Sequence, residues 1–486
     1  MDQFSQPRRL RSAAIANLGC KVNRAEMEAV ERLLRAHGVE LVDGAEPADL
    51  VVVNTCTVTA IADRKSRQAV RRARRMSPEA QLLATGCLVS VDPEALAAVD
   101  PSARLFDNGS KDRLLEELVA MLDDPAAGPI LPVSGVDRAW EATGPRLFEG
   151  EAEEGSADDH LDRADSVRTR AFVKIQDGCS FHCTYCIIPT ARGPERSLEP
   201  EILLDQVRRA LEAGHREVVL TGINVGSYQG GQATRSEQAL SLSGLVRRIL
   251  AETSVERIRL SSVEPQHVSD ELLEVWIGSG GRCLPHLHLP LQSGDDAILR
   301  RMGRRYDAPY YAELVARVRR AIPGVAVHAD VIAGFPGEDE AAWARTMAFL
   351  TGLDLAGIHV FRYSARPGTP AARMVGQVDA RAKKRRAAEA LALAATARAG
   401  FAERQLGREL RVLFERRLAD GRWLGHAENH VPVVAVAPDG GSLNNAIGVV
   451  MAESCDLRAP DRIVGRLVKL CPAESVRDPL AESAFS

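Results

Sequence analysis

The chain has 486 residues, 45% of them hydrophobic and 26% charged, with a net charge of −4. A chain this long buries a sizeable core, roughly two to four domains' worth, and its mild acidity excludes a uniformly basic nucleic-acid binder. No stretch reaches the roughly 18 consecutive apolar residues of a membrane span, and the opening MDQFSQPRRLRS lacks the apolar core of a secretory signal. The cytoplasm is therefore expected, with neither a membrane nor DNA as a partner. Nine cysteines, an odd number thinly spread, fit reduced thiols or metal ligands better than a disulfide framework.

From the amino terminus, one unit recurs three times. The apolar run AAIANLG ends at Cys20 and precedes the helix-like NRAEMEAVERLLRAHG; DLVVVNT ends at Cys56, with VTAIADRKSRQAVRRARRM behind it; QLLATG ends at Cys87. Short apolar runs alternating with amphipathic helices predict a doubly wound parallel sheet over residues 1–122. Each cysteine falls just past the carboxyl end of a strand, where the ligand crevice of an open α/β sheet lies. The pattern then lapses through 123–166, whose acidic part, 147–165, holds eight acids and one Arg, and which reads as a linker.

Residues 167–400 resume the alternation. Six apolar runs, AFVKI (171–175), EVVLT (217–221), ERIRLS (256–261), HLHLPL (286–291), VAVHADVI (325–332) and GIHVFR (357–362), predict an incomplete (βα)6 version of the eight-fold parallel barrel. The segments after these strands, from GINVGSY to YSARPGTPA, gather Gly, Ser, Asn and Pro at one rim, the end where such barrels do their chemistry. From about 401 to 472 the runs ELRVLFER, VPVVAVA, IGVVMAE and VGRLVKL read as a small antiparallel β-barrel of a kind that often binds oligonucleotides, followed by a tail, 473–486. Two basic clusters, RKSRQAVRRARR at 64–75 and the stretch 381–417, with eleven basic residues against four acids, can hold phosphates or serve as solvated helix faces.

The stretch QDGCSFHCTYCIIPTARG places Cys179, Cys183 and Cys186 within eight residues. A structural zinc site is closed by four ligands, typically in two separated pairs, and His182 adjoins Cys183 too closely to share its metal without strain. Three thiolates on a 4Fe-4S cluster leave one iron open. The Cys-x3-Cys-x2-Cys spacing, with Tyr185 before the last cysteine, resembles the cluster motif of the radical S-adenosylmethionine enzymes. That resemblance implies that S-adenosylmethionine chelates the open iron and is cleaved to a deoxyadenosyl radical.

The segments NLGCKVNRAE, VVNTCTVT and ATGC resemble the amino-terminal domain of the methylthiotransferases, LTGINVGSY, RLSSVEP, HLPLQSG, DVIAGFPGE and YSARPGTPA their barrel, and residues 404–470 their RNA-binding TRAM domain. The resemblance implies two 4Fe-4S clusters: one on Cys179, Cys183 and Cys186 that generates the radical, and one on Cys20, Cys56 and Cys87 that serves sulfur insertion. It further implies S-adenosylmethionine as cofactor, with Tyr185 beside its adenine. Gly222, Asn224, Ser261, Glu264, Gln292 and Phe335 are the expected contacts at the barrel rim, where small polar and backbone groups can reach a zwitterion. An external one-electron donor such as flavodoxin or ferredoxin is also implied. The form GCKVN resembles the branch acting on N6-threonylcarbamoyladenosine beside the tRNA anticodon. The alternatives are the branches acting on isopentenyladenosine, which more usually shows GCQMN, or on a ribosomal protein. A non-enzymatic iron-sulfur carrier or sensor is the rival outside the family; such carriers normally fill every ligand position with cysteine.

Overall fold

The computed structural model describes residues 10–44, 46–122, 169–230 and 239–472; the expected linker, 123–166, and tail, 473–486, lie outside the described residues. The described residues divide into two compact units, the first comprising those up to 122 with 177–181 and 186–195, the second the others.

In the first unit, strand β3 (Leu50–Thr55) is buried at every position, as a central strand covered on both faces must be. It pairs in parallel with β1 (Ser12–Asn17) and β4 (Gln81–Gly86), while β2 (Glu40–Leu41) and β5 (Arg104–Phe106) form the edges, giving the order β2-β1-β3-β4-β5. The helices are α1 (Lys21–Ala36), α2 (Ala60–Met76), α3 (Cys87–Val91), α4 (Pro93–Ala97), α5 (Lys111–Leu122) and the short α6 (Ile188–Arg192). Period-two alternation splits the core into two layers. Leu50 and Val52 pack with Met27, Val30 and Leu34 of α1 and Leu114, Leu115 and Leu118 of α5, whereas Val51 and Val53 pack with Val70 of α2, Leu88 of α3 and Leu96 of α4. The sheet is doubly wound, as its alternation predicts.

The second unit contains all six expected barrel strands: β6 (Arg170–Lys174), β7 (Glu217–Thr221), β8 (Ile258–Leu260), β9 (His286–His288), β10 (Ala326–Ala333) and β11 (Gly357–Arg362). They form two parallel three-stranded sheets, β8-β7-β6 and β9-β10-β11. The bridges Ile258↔Cys283 and Ser262↔His288 join them into one open six-stranded array. Its helices are α7 (Pro200–Glu212), α8 (Leu242–Glu252), α9 (Asp270–Gly278), α10 (Asp296–Met302), α11 (Ala308–Ala321), α12 (Glu340–Gly352) and α13 (Ala380–Glu403). No helix among the described residues is long and apolar enough to cross a membrane.

Five antiparallel or bridging strands then close a small barrel: β12 (Glu409–Arg417), β13 (Trp423–Ala427), β14 (Pro432–Ala435), β15 (Ile447–Asp456) and β16 (Ala459–Cys471), in the order β12-β13-β14-β16-β15. The sequence reading counts four of these and omits β13, whose WLGHA is interrupted by a glycine. A Cβ at Gly425 would lie 2.2 Å from the Leu413 carbonyl oxygen, so the glycine is there to let two strands approach. This barrel docks on the amino-terminal ends of β6, β7 and β8. Arg257 donates to Glu217 (2.8 Å) and to the carbonyls of Arg411 and His426, Arg259 donates to Glu217 (2.7 Å) and the carbonyl of Glu428, and Arg170 pairs with Glu415. Glu217, Arg257 and Arg259 are all at most 2% exposed, and the two guanidiniums outweigh burial to hold the Glu217 carboxyl well below its usual range. Removing one partner from such a buried set costs about 3–5 kcal/mol.

Candidate active site

The first three thiols are brought together by the amino-terminal sheet. Cys20 is the residue before α1, Cys56 follows β3, and Cys87 opens α3 directly after β4. The turn before Cys20 depends on Gly19, at φ +113°, where a Cβ would come within 3.1 Å of Cys56 Cβ; the turn before Cys87 depends on Gly86, at φ +98°, where a Cβ would meet Asn54 Oδ1 at 2.3 Å. Asn23 ties the strand ends together. Its amide donates to the carbonyls of Leu18 (2.8 Å) and Thr55 (3.0 Å), and its Oδ1 accepts from Cys20 Sγ (3.7 Å) and Arg192 (2.5 Å). Asn108 donates to Cys87 Sγ (3.7 Å) and to the Ala191 carbonyl (2.7 Å).

Burial pushes the Cys56 thiol up to about 12, with Cys87 and Cys20 adding to the shift, and raises Cys87 as well, where Cys20 adds to it. Against this, Arg192, buried and paired with Glu26 and Asp177 at 2.9 Å each, favours the thiolates. Two buried thiols, reluctant to ionise alone and set beside a buried cation, with Cys20 at the neighbouring strand end, fit a metal centre that displaces thiol protons on binding. The number of cysteines fits a 4Fe-4S cluster with one open iron.

The second set lies on the loop after β6. Gly178, at φ +70°, precedes Cys179, and a Cβ there would lie 2.0 Å from the Pro194 carbonyl oxygen. Cys179 N donates to the Gly193 carbonyl (3.1 Å) and Cys179 Sγ accepts from Phe181 N (3.4 Å). Cys183 Sγ accepts from Arg304 Nη1 at 3.4 Å, and the next residue is anchored by Thr184 N to the Met302 carbonyl (2.9 Å). Cys186 lies two residues before α6; all three cysteines are half-buried, whereas His182 is exposed.

The expected cofactor contacts fall at the carboxyl ends of the strands. Asn224, after β7, receives the Gln176 side chain at its backbone N–H (2.9 Å), and the same Gln176 leaves no room for a Cβ at Gly222. Among the described residues, both polar atoms of the Asn224 side chain, Ser261 Oγ after β8 and Thr221 Oγ1 at the end of β7 are buried without a hydrogen-bond partner. Buried polar atoms without partners point to a missing ligand, and their position on two neighbouring strand ends fits a small polar molecule such as S-adenosylmethionine. Glu264 is bonded to Arg304, which also reaches Tyr185 Oη at 3.5 Å. Gln292 holds a left-handed φ of +73°, a strain found mostly at functional sites. Phe335 is fully buried, edge-on to Tyr185 (6.4 Å between ring centres) and Tyr363 (5.4 Å), so it sets the position of Tyr185 from below.

Sequence reasoning missed Arg304, Arg192, Gln176 and a cluster of His288, Asp330 and His359 whose ligand atoms lie within 4.8 Å of one another. Gln176 and Arg192 flank the thiol motif, and His288 and Asp330 open HLPLQSG and DVIAGFPGE, but no spacing singles them out; at Arg304 only the left-handed Gly303, at φ +74°, marks a helix end. The two basic runs also differ. In 381–417, Arg385 pairs with Glu340 and Glu389, Arg386 with Glu338 and Glu340, Arg398 with Asp461, Arg404 with Asp354 and Arg411 with Glu256. On α2, only Arg74 is so engaged, with Asp100; Arg64, Lys65, Arg67, Arg71, Arg72 and Arg75 face outward without an ion-pair partner among the described residues.

Comparison with known proteins follows the same division. Residues 12–106 match the model described as Uncharacterized protein family UPF0004, and residues 173–350 match the Radical SAM superfamily. The Threonylcarbamoyladenosine tRNA methylthiotransferase MtaB of Bacillus subtilis (strain 168) is 37% identical over 87% of this chain and 90% of its own length, and that of Aquifex aeolicus (strain VF5) is 34% identical over 82% and 92%. The tRNA-2-methylthio-N(6)-dimethylallyladenosine synthase of Novosphingobium aromaticivorans is 33% identical over 85% and 88%. Among solved structures, the radical S-adenosylmethionine methyltransferase TsrM from Kitasatospora setae superposes with a TM-score of 0.51 over 75% of this chain and 77% of that one, at 16% identity, a likeness of fold alone.

Proposed function

We propose, from the premise that this chain belongs to the radical S-adenosylmethionine methylthiotransferase family, in its MtaB-type branch, that it converts N6-threonylcarbamoyladenosine beside the tRNA anticodon to the 2-methylthio derivative. The observation that carries this reading is the near full-length similarity to threonylcarbamoyladenosine tRNA methylthiotransferases, accompanied by two separate three-cysteine sets. The enzyme is a transferase that uses S-adenosylmethionine and 4Fe-4S clusters, which when bound supply one-electron cleavage of the sulfonium and the sulfur to be inserted.

The chain's own residues take the following parts. Cys179, Cys183 and Cys186 hold the radical-generating cluster, and Arg304 keeps Cys183 and Tyr185 in place. Asn224, Ser261, Glu264 and Gln292, with Gly222 and Phe335 shaping the walls, cradle the cofactor. Cys20, Cys56 and Cys87 hold the other cluster, beside Arg192. The domains run over 1–122, 167–400 and 401–472, the last a TRAM-like barrel that grips RNA. The unpaired cations of α2 and the free ones of 381–417 meet phosphates. A small one-electron protein such as flavodoxin or ferredoxin reduces the enzyme, in the cytoplasm.

Mass spectrometry of tRNA nucleosides from a host lacking the gene tests the substrate. Loss of 2-methylthio-N6-threonylcarbamoyladenosine supports this reading. The 33% identity to a dimethylallyladenosine-modifying enzyme favours a second one, which loss of the isopentenyl analogue would establish instead. Unchanged tRNA with an altered ribosomal protein would overturn both.

A further inference from the structure

Six of the eleven histidines lie in one line of ring contacts. His426 meets His430 (4.8 Å between ring centres), His430 meets His286 (4.9 Å), His286 meets His328 (4.9 Å), His328 meets His359 (6.0 Å) and His359 meets His288 (5.0 Å). The line runs from the carboxy-terminal barrel along the strand starts and ends among β9, β10 and β11. At that end Asp330 Oδ1 accepts from His288 Nε2 (2.7 Å) and from His359 Nδ1 (3.1 Å), and Ser262 Oγ bonds His288 Nδ1 at 2.6 Å. These contacts assign the protons. The serine hydroxyl donates to His288 Nδ1, the opposite nitrogen carries its hydrogen to Asp330, and His359 gives its Nδ1–H to the same oxygen.

Three further observations bear on what the group does. Its side chains grade outward, from 15% and 17% exposed at His288 and Asp330 to 44% at His359, so the relay has a buried root and an accessible tip. It adjoins the cofactor end of the barrel: Ser262, bonded to His288, lies two residues before Glu264, which feels the charge of Asp330 and is bonded to Arg304, which is bonded to Cys183 and Tyr185. Arg304 therefore links Glu264 to Cys183. The group holds a carboxylate and no lysine or arginine of its own. It has no surplus cation to hold a phosphate, and its carboxylate repels an acidic side chain.

Two imidazoles and a carboxylate are also a known ligand set for divalent transition metals. Here, however, the nitrogens that a metal would need as lone pairs are the N–H donors that Asp330 already accepts. A flat, hydrogen-bonding wall that repels anions suits a flat, uncharged ligand.

We propose that His359, held by Asp330 and His288, is the seat of the substrate's nucleobase, hydrogen-bonding the edge of a planar nitrogen heterocycle and turning its reacting carbon toward the cofactor end of the barrel. His359 is the residue that touches substrate; Asp330, His288 and Ser262 are positioning residues. The inference rests on the RNA-substrate reading above and sharpens it, since the wall selects a base over an acidic protein side chain.

The test uses the reconstituted full-length enzyme with tRNA from a host lacking the gene, and reads deoxyadenosine released per methylthio group formed. A misplaced base lets the radical be spent without product. His359→Phe and Asp330→Asn should raise that ratio about 10- to 100-fold, the penalty for displacing a reacting atom by an ångström. His359→Gln, which keeps an edge donor and acceptor, should recover most of the coupling, and tRNA affinity should change less than about threefold because phosphate contacts set it. Thermal midpoint and iron content show whether each variant is folded; should His359→Phe fail to fold, the Gln and Asn variants carry the comparison. An unchanged ratio in folded His359→Phe overturns the proposal, as does stoichiometric Zn2+ or Fe2+ binding by the wild type that this substitution abolishes. Wild-type enzyme that methylthiolates no tRNA at all would instead sink the RNA-substrate reading.

Discussion

The two cysteine sets are built by opposite means. Cys20, Cys56 and Cys87 are 36 and 31 residues apart and meet because three adjacent parallel strands end at one edge, whereas Cys179, Cys183 and Cys186 share eight residues of one loop. A sheet-built site inherits its geometry from the core of its domain, so it is rigid with or without a ligand. A loop-built site has only local restraints, here Gly178, the bonds of Cys179 to Gly193 and Phe181, and Arg304 on Cys183. Damage to the first should register as lost stability, and damage to the second as lost cluster.

The largest effects should come from the sulfurs themselves. Replacing Cys179, Cys183 and Cys186 with Ala should abolish deoxyadenosine formation, while replacing Cys20, Cys56 and Cys87 should abolish methylthio product with deoxyadenosine still detected. Chromatographic quantitation of both products checks this, and deoxyadenosine from the first triple variant would reverse the assignment. The glycines sharpen the contrast. Gly86→Ala forces a side chain into a left-handed position against Asn54 and should cost about 2–4 kcal/mol, read as a lower thermal midpoint. Gly178→Ala, equally obstructed but in a loop, should mainly lower the iron retained after reconstitution. Equal loss of midpoint in both would remove the distinction between sheet-built and loop-built sites.

Weaker effects should appear at the basic runs. Arg71→Glu with Arg72→Glu on α2 should weaken tRNA binding about tenfold and flatten its salt dependence, since each lost phosphate contact removes about one unit of slope. Arg398→Gln, which breaks an internal pair with Asp461, should leave that slope as it was. The smallest effect concerns pH. Burial and then the neighbouring Arg259 and the histidine rings keep His430 neutral, with its pKa well below the ordinary value. The unfolded chain takes up this proton near the usual 6.5 and the folded chain does not, so stability falls as pH drops below about 6.5, by up to about 1.4 kcal/mol per unit. His430→Asn, which tolerates the left-handed φ of +66° found there, should shrink the drop in thermal midpoint between pH 7 and 5.5.

What the sequence made legible follows from the same contrast. Alternating runs and their terminal cysteines were readable because strand and helix periods are local, and the eight-residue thiol motif because its spacing is fixed by one loop. The WLGHA strand escaped because Gly425 serves a neighbouring strand, an event outside its own window. Arg304, Arg192 and the Asp330 group escaped because each acts on residues tens to hundreds of positions away, even where, as for Arg192 and Asp330, the stretch around it was legible. The charge of 381–417 was legible, but the carboxylates that neutralise much of it come from other elements.

The docking of the last barrel on Glu217, Arg257 and Arg259 bears on how the protein is made. The carbonyls of Arg411, His426 and Glu428 that complete those guanidinium shells belong to strands near the end of the chain, while the guanidiniums themselves sit in the middle. On the ribosome, Arg257 and Arg259 must wait for some 150 further residues before the polar cap over these strand starts can be sealed. A nascent or truncated chain stopping before residue 409 would expose two arginines against one glutamate where the finished protein is dry. Such shortened chains should open more readily at these strand starts and be cut there by proteases that spare the finished protein.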